Sequence, residues 1–409
     1  MIPNVPQSTS QRNIQIIINP SSIKKPESHF QQNQRFCELK AKRTSRESLI
    51  PELQAKTKSL RTKNVNIFMG VQISEIIPRK EIEISDLKGK TIAIDAFNTL
   101  YQFLTTIRQP DGTPLMDKNK KITSHLSGLF YRNINLLQEG IKPAYIFDGI
   151  PPELKQEEIK KRKEAKKIAE QRYTEAKAKE DIKEMKKYSG RFVKITDEII
   201  QQSKELLEAL GIPVIQAPSE GEAEAATLAR TGKVWAAASQ DYDALLYGTP
   251  YLVRNLTSPR RRKTPSGLYI DIKPELIEFQ SVVRKLEIDK DQLICLAILV
   301  GTDYNPGGVK GLGQKKALDI VQKHKYPVEI FKQVQKKFDF IFDWQEVFKQ
   351  FHGYESSYTE NIQPKPINEK KIKQILLAHD FSEKRIDSGI QKLKAITESK
   401  KQKGLGDFF

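Results

Sequence analysis

The chain has 409 residues, with 69 Lys+Arg against 51 Asp+Glu, a formal net charge of +18 and 38% hydrophobic residues. That length allows two or more domains. The charge excess points either to a polyanionic partner such as nucleic acid or to a generally lysine-rich proteome. Two distant cysteines, Cys37 and Cys295, exclude a disulfide framework and a zinc finger, and no apolar run approaches the ~20 residues of a membrane span, so a reducing intracellular setting is expected.

Residues 1–68 are rich in Gln, Asn, Ser and Pro and carry twelve Lys/Arg against four Asp/Glu, with one short apolar island at Ile14–Ile18. The absence of sustained periodicity predicts disorder. The composition also resembles an organelle-targeting peptide, and a third reading places the true start at Met69.

From Lys90 the pattern is regular. Thr91–Ile94 reads as a strand ending at Asp95, followed by a helix over 97–107. A second amphipathic helix is expected over 124–139, a strand over 143–147 ending in Asp148, and a helix over 194–210. Val214–Gln216 is a short strand leading into the stretch APSEGEAEAATLARTGKVWAAASQDYD, 217–243. Pro218 and Ser219 signal a helix start, which puts Glu220 and Glu222 on its first turn. The apolar run 233–238 reads as a buried strand, with Asp241 and Asp243 just past its end. Alternating strands and helices predict an α/β fold, a parallel-rich twisted sheet with helices on both faces. Ligands bind at the carboxyl edge of such sheets. Asp303 follows an apolar helix over 292–300.

Acidic residues at helix starts are ordinarily caps and dipole partners. Seven of them at one sheet edge are harder to explain so. Asp95, Asp148, Glu220, Glu222, Asp241, Asp243 and Asp303 would repel one another strongly in a single cleft. Two divalent ions relieve that repulsion, and oxygen-only donors select Mg²⁺ or Mn²⁺ over zinc.

The segment 153–187 has thirteen basic and nine acidic residues, no internal glycine or proline and a thin apolar stripe. It reads as a long, poorly buried helical excursion, either a plain solvated helix or an overhang on the metal cleft. Lys155 and Arg162, two turns apart, share a face suited to a phosphate. Gly311 and Gly313 lie between two predicted helices, where backbone N–H groups can meet a phosphate, although Gly-x-Gly is usually only a turn. Arg260–Lys263 reads as a basic loop. The polar tail 402–409 carries Leu405, Phe408 and Phe409 as an apolar plug for a single 3₁₀-like turn, to be buried by a partner or folded back on the core.

Residues 69–409 resemble the flap endonucleases, structure-specific 5′-nucleases with a PIN-like core, a helical arch and a helix-two-turn-helix. The resemblance rests on MGVQ (69–72), TIAIDAFNTLYQFL (91–104), ITSHLSGLFYR (122–132), IKPAYIFDGIPPELK (141–155), APSEGEAEAA (217–226), AAASQDYDALLYG (238–248) and ILVGTDYNPGGVKGLGQKKAL (298–318). It implies a nuclease domain over 69–399, with an N-terminal region 69–165, an arch 153–187, an internal region 188–324 and the helix-two-turn-helix at 292–323. It implies two Mg²⁺ ions, replaceable by Mn²⁺, on the seven carboxylates, and catalytic roles for Lys155 and Arg162. DNA contacts are implied at Tyr101, Arg108, Arg132, Glu220, Gly301, Asp303, Gly311 and Gly313, with a K⁺ site at the glycine hairpin. The tail 400–409, through Gln402, Leu405, Phe408 and Phe409, resembles a box that binds a sliding clamp of the PCNA type. No basic tail follows it, and residues 1–68 match no part of the family pattern.

The implied activity is cleavage of 5′ flaps at the single-strand/duplex junction, with 5′–3′ exonuclease action, in replication and repair. The implied protein is a monomer without membrane contact, located in the cytoplasm or nucleoid of an archaeon, or in a nucleus or organelle. Two rivals remain: a clamp-tethered DNA-binding protein without catalysis, disfavoured by the complete acid set, and a ribonuclease of the related PIN type.

Overall fold

The structure is a computed structural model that describes residues 70–406 apart from 265, 266, 357 and 360. The expectations for residues 1–68, Phe408 and Phe409 lie outside the described residues, as do those for the side chains of Gln402 and Leu405.

Short apolar segments rich in Ala, Ile and Val form a seven-stranded sheet. Its strands are β1 (Lys80–Glu81), β2 (Thr91–Asp95), β3 (Lys142–Phe147), β4 (Val214–Gln216), β5 (Ala236–Ala238), β6 (Tyr251–Arg254) and β9 (Glu275–Glu278). Their order is β1-β9-β6-β5-β2-β3-β4. The pairs β2–β3, β2–β5, β3–β4 and β5–β6 are parallel, and β9 is antiparallel to β6 and β1. Side chains alternate between two cores, as the two-residue period of a strand requires. Ala93, Ala144, Ile146 and Ala237 face one core, and Ile92, Ile94, Tyr145 and Phe147 face the other.

Helices cover both faces. α1 (Ala96–Thr106), α2 (Ser124–Gln138) and α5 (Asp197–Ala209) lie on the second face with α13 (Glu369–Leu377) and α14 (Glu383–Gly406). α6 (Gly221–Arg230), α7 (Asp243–Leu246), α8 (Phe279–Leu286), α9 (Lys290–Val300), α10 (Gln314–Lys323), α11 (Pro327–Gln335) and α12 (Trp344–His352) lie on the first.

Several expectations change. The charged excursion consists of two helices, α3 (Gln156–Ala178) and α4 (Ile182–Ser189), after a 3₁₀ turn at Glu153–Lys155. Glu180 adopts φ +54°, Asp181 N–H donates to Ala176 O at 2.9 Å, and Glu180 N–H to Lys177 O at 3.1 Å. This closes α3 with a glutamate where glycine is usual. Asp181 then caps α4 by accepting from Lys183 and Glu184 N–H. The helix expected from 194 begins at Asp197, because Thr196 accepts from Ile199 N–H as its cap. The basic run at 260–263 is a hairpin strand, β7 (Arg261–Lys263), paired antiparallel with β8 (Tyr269–Asp271). The backbone up to Gly406 continues α14, and the turn expected to group Leu405, Phe408 and Phe409 lies outside the described residues.

Candidate active site

The strand order reverses between β2 and β5: the chain steps outward through β3 and β4, then returns to the other side of β2. The two strand ends diverge there and leave a crevice at the carboxyl edge. In register, Asp95 lies level with Ile146 of β3, so Asp148 emerges just beyond. Ile94 pairs with Ala238, so Asp241 and Asp243 follow from the neighbouring strand end. Glu220 is the N-cap residue of α6, with Glu222 in its first turn. Asp303 enters from the loop after α9. All seven carboxylates line one cleft of about 100 Å³, with Gly70, Phe97, Asn98, Lys155 and Arg162.

The set divides by charge pairing. Lys155 Nζ donates to Glu220 Oε1 and lies 3.0 Å from Asp303 Oδ2, and Arg162 Nη2 is 2.6 Å from Asp303 Oδ1. Burial alone would raise the Asp303 carboxyl, but Lys155 and Arg162 hold it below the usual range. Glu220 and Asp303 in turn raise Lys155 well above an ordinary lysine, against the effect of burial. The other five have no ion pair among the described residues. Burial, then Asp148, pushes Asp95 up to about 7. Burial raises Asp148 to about 6, and burial with Asp303 raises Asp243 to about 7. Glu222 and Asp241 are raised well above normal by burial and by their acidic neighbours.

Five carboxylates without an ion pair, Asp95 and Asp243 buried, Glu222 and Asp241 half-buried and Asp148 open to solvent, are the donor chemistry that hard divalent ions fit. As they stand, no three His, Cys, Asp or Glu side chains among the described residues close around one ion position. Mutual repulsion keeps like charges apart, and a bound ion would reverse that force.

Several contacts here were invisible in the sequence, since each joins residues far apart along the chain. Asn98 Nδ2 donates to Asp241 Oδ2 at 2.7 Å, and Ser239 donates to Glu222. Val71 N–H donates to Asp243 Oδ1 at 2.7 Å, Gly70 N–H to Asp303 Oδ1 at 3.3 Å, and Gly221 N–H to Asp148 Oδ1 at 2.7 Å. Gly70 has φ +94°, and a Cβ there would stand 2.8 Å from Asp241 Cβ, so only glycine lets the backbone pass across the carboxylates. Tyr304 and Tyr247 hydroxyls both reach Glu220 Oε2.

The remaining predicted residues do not line the cleft. Tyr101 carries Lys166 Nζ 5.7 Å from its ring centroid. Arg108 spends its donors on Leu104 O at 2.9 Å and Gly112 O at 2.7 Å. Arg132 borders a separate cavity of about 290 Å³ with Arg260, Arg261 and Lys273. Gly301 has φ +114°, and a Cβ there would meet Gly308 N at 2.7 Å, so this turn out of α9 needs glycine. Gly311 and Gly313 are exposed on either side of buried Leu312, and Gly313 is the uncapped start of α10. Among the described residues no helix is long and apolar enough to cross a membrane, and Cys295 is buried and free.

Comparison with known proteins gives the fold a lineage. Residues 69–169 match the XPG N-terminal domain, and residues 211–303 match the XPG I-region. Flap endonuclease 1 of Thermococcus onnurineus is 53% identical over 345 residues, covering 83% of this chain and 99% of that protein. The Pyrococcus furiosus protein of the same name is 52% identical over 345 residues, again 83% and 99%. The structure of flap endonuclease-1 from Methanococcus jannaschii aligns with TM-score 0.63 and 42% identity, over 81% of this chain and all of that one. The DNA-bound catalytic core of Rad2 shares the fold at TM-score 0.57 and 22% identity, covering 77% and 96%. Identity above 50% over 345 residues, covering 99% of each of these relatives, means that the chain belongs to the flap endonuclease 1 family.

Proposed function

We propose that the chain cleaves 5′ flaps of branched DNA at the single-strand/duplex junction, using divalent ions in the cleft between β2 and β5. The observation that carries this reading is the division of the seven carboxylates. Five line the cleft without an ion-pair partner among the described residues, and two hold Lys155 and Arg162 at the cleft's rim. Mg²⁺ is the ion assigned, with Mn²⁺ as substitute, because every donor is a hard oxygen. Asp95, Asp148, Glu222, Asp241 and Asp243 would hold such ions, which would supply an activated water for in-line attack and charge stabilisation for the leaving 3′ oxygen.

The protein's own groups do the rest. Lys155 and Arg162 sit two turns apart at the base of α3, directly after the strand that delivers Asp148. They transfer their donors from Glu220 and Asp303 to the scissile phosphate and neutralise charge as it develops there. Asn98 keeps Asp241 turned into the cleft. The exposed backbone at Gly311 and Gly313 and the uncapped start of α10 hold duplex phosphates, with K⁺ as the matching cation, and Gly301 shapes the turn between the two helices. Tyr101, Arg108 and Arg132 contact DNA nearer the junction. The arch formed by α3 and α4 admits the flap. The tail, through Gln402, Leu405, Phe408 and Phe409, binds a sliding clamp. The protein acts as a monomer inside the cell, in replication and repair.

The test is incubation of the protein with a 5′-flap duplex and with a matched RNA flap, with and without Mg²⁺. Junction cleavage of the DNA flap only with the ion is expected. Binding without cleavage would favour the non-catalytic reading, and preference for RNA would favour a ribonuclease.

A further inference from the structure

We infer that Tyr304 and Tyr247 are positioning residues for the reaction, a pair of buried phenols that fixes Glu220 and, through it, the Lys155 ammonium. The inference rests on the reading of Lys155 as a phosphate-contacting group.

The two oxygens of Glu220 have separate partners. Oε1 accepts from Lys155 Nζ. Oε2 accepts from the Tyr304 hydroxyl and lies 3.1 Å from the Tyr247 hydroxyl. The two phenol oxygens are 2.9 Å apart. Each phenol has one proton to give, so the arrangement that satisfies all three groups is a chain. Tyr247 donates toward the Tyr304 oxygen, and Tyr304 donates to Glu220. Donors in series polarise one another and strengthen the last bond.

The rings themselves are held from behind. Tyr247 is 3% exposed and Tyr304 7%. Phe351 of α12 stands 5.2 Å, centroid to centroid, from each of them, and Tyr354 stands 6.0 Å from Tyr247. Lys155 Nζ lies 6.0 Å from the Tyr304 ring centroid. The ammonium is therefore enclosed by Glu220, Asp303 and that ring. Glutamate has three side-chain torsions, and a polarised phenol donor on one oxygen with an ammonium on the other restricts it to one arrangement. Without the phenol hydroxyls, Oε2 becomes a buried acceptor without a donor. Glu220 then turns to find one, and Lys155 loses its fixed partner.

The experiment removes one oxygen at a time. Tyr304→Phe, Tyr247→Phe, Glu220→Gln and the double variant Tyr304→Phe with Glu220→Gln are compared with the unaltered protein. Single-turnover cleavage and flap affinity are measured, together with Lys155 reductive methylation by formaldehyde in the absence of metal and DNA, read by peptide mass. Tyr304→Phe is expected to slow the single-turnover rate ~10-fold, the scale of outer-shell substitutions. Flap affinity should stay within about twofold, and in the Glu220→Gln background the same substitution should add less than about twofold. Lys155 should be methylated faster in Tyr304→Phe. An unchanged rate, an equal fall in the Glu220→Gln background, or unchanged methylation would overturn the inference. If Tyr304→Phe fails to fold, Tyr247→Phe, which keeps the closer donor, gives the same readouts with a smaller effect. A parent protein that cleaves normally beside an unaffected Tyr304→Phe defeats only this inference. A parent protein that does not cleave defeats the proposed function, and methylation still decides the role of the phenols.

Discussion

At the scale of single residues, the cleft is a set of conflicts that the fold tolerates. Asp241 is half-buried beside Asp243 and Asp95, offset by one amide from Asn98 at 2.7 Å and by the charge of Arg254, which makes no ion pair with it. Uncompensated like charges in a low-dielectric site cost stability and are kept for function. Asp241→Asn should therefore raise the melting temperature of the metal-free protein by a few degrees and nearly abolish cleavage, with flap binding retained. Calorimetry beside a cleavage assay checks both. A lower melting temperature, or near-normal cleavage in Mg²⁺, would contradict this role. The acids were legible in the sequence because six of them stand at or just past a strand end or at a helix start and Asp303 follows a helix end, and those punctuation signals are local. Their organisers were not. Nothing near Tyr304 in the sequence announces a bond to Glu220, and a glycine at position 70 gives no sign that it crosses Asp241.

At the scale of elements, α3 shows how a side chain is placed. Its charged surface suggests nothing specific, yet its first turns begin at the strand end that carries Asp148. Alanine at both Lys155 and Arg162 should cut the single-turnover rate by two or more orders of magnitude, about the value of paired charge-stabilising groups. Affinity should fall far less if, as proposed, the start of α10 and the preceding Gly311 and Gly313 hold the duplex. A large affinity loss with an unchanged single-turnover rate would reverse the assignment. The break after α3 could not be read from sequence, since a left-handed glutamate carries none of the glycine signal that marks most such ends.

A second element-level feature joins α2, α5 and the corner before α14. His125 is buried and hydrogen-bonded to Gln202 at 3.0 Å, which in turn meets His379, itself 2.9 Å from Asp117. Burial pushes His125 down to about 4. The unfolded chain takes up that proton from about 6.5 downward, so the folded state loses stability as pH falls through the window between these values. This group should contribute a loss of ~2 kcal/mol between pH 7 and pH 5. Urea unfolding of the parent and of His125→Gln at both values measures it. Equal pH dependence in the two proteins would show that His125 is not held neutral.

At the scale of the whole molecule, the strand order does the organising. A sheet that steps out through β3 and β4 and returns at β5 must open between β2 and β5, and the carboxylates collect there. The strand–helix alternation that dictates this is readable from apolar periodicity alone. The hairpin β7–β8 was not, because its strands are short, exposed and basic and look like a loop. The tail stands apart from this core in the account: Phe408→Ala with Phe409→Ala should abolish stimulation by a sliding clamp and leave clamp-free cleavage intact. Equal loss of both would make the tail part of the nuclease.

The central claim is that the five carboxylates without a cationic partner hold the ions that drive cleavage, while Glu220 and Asp303 hold the cations that meet the phosphate. Anomalous diffraction from crystals soaked in Mn²⁺ tests it most directly. The account predicts ion peaks bounded by Asp95, Asp148, Glu222, Asp241 and Asp243. Peaks only outside that group, or a cleft that stays empty at saturating Mn²⁺ while the same protein cleaves flaps, would contradict it.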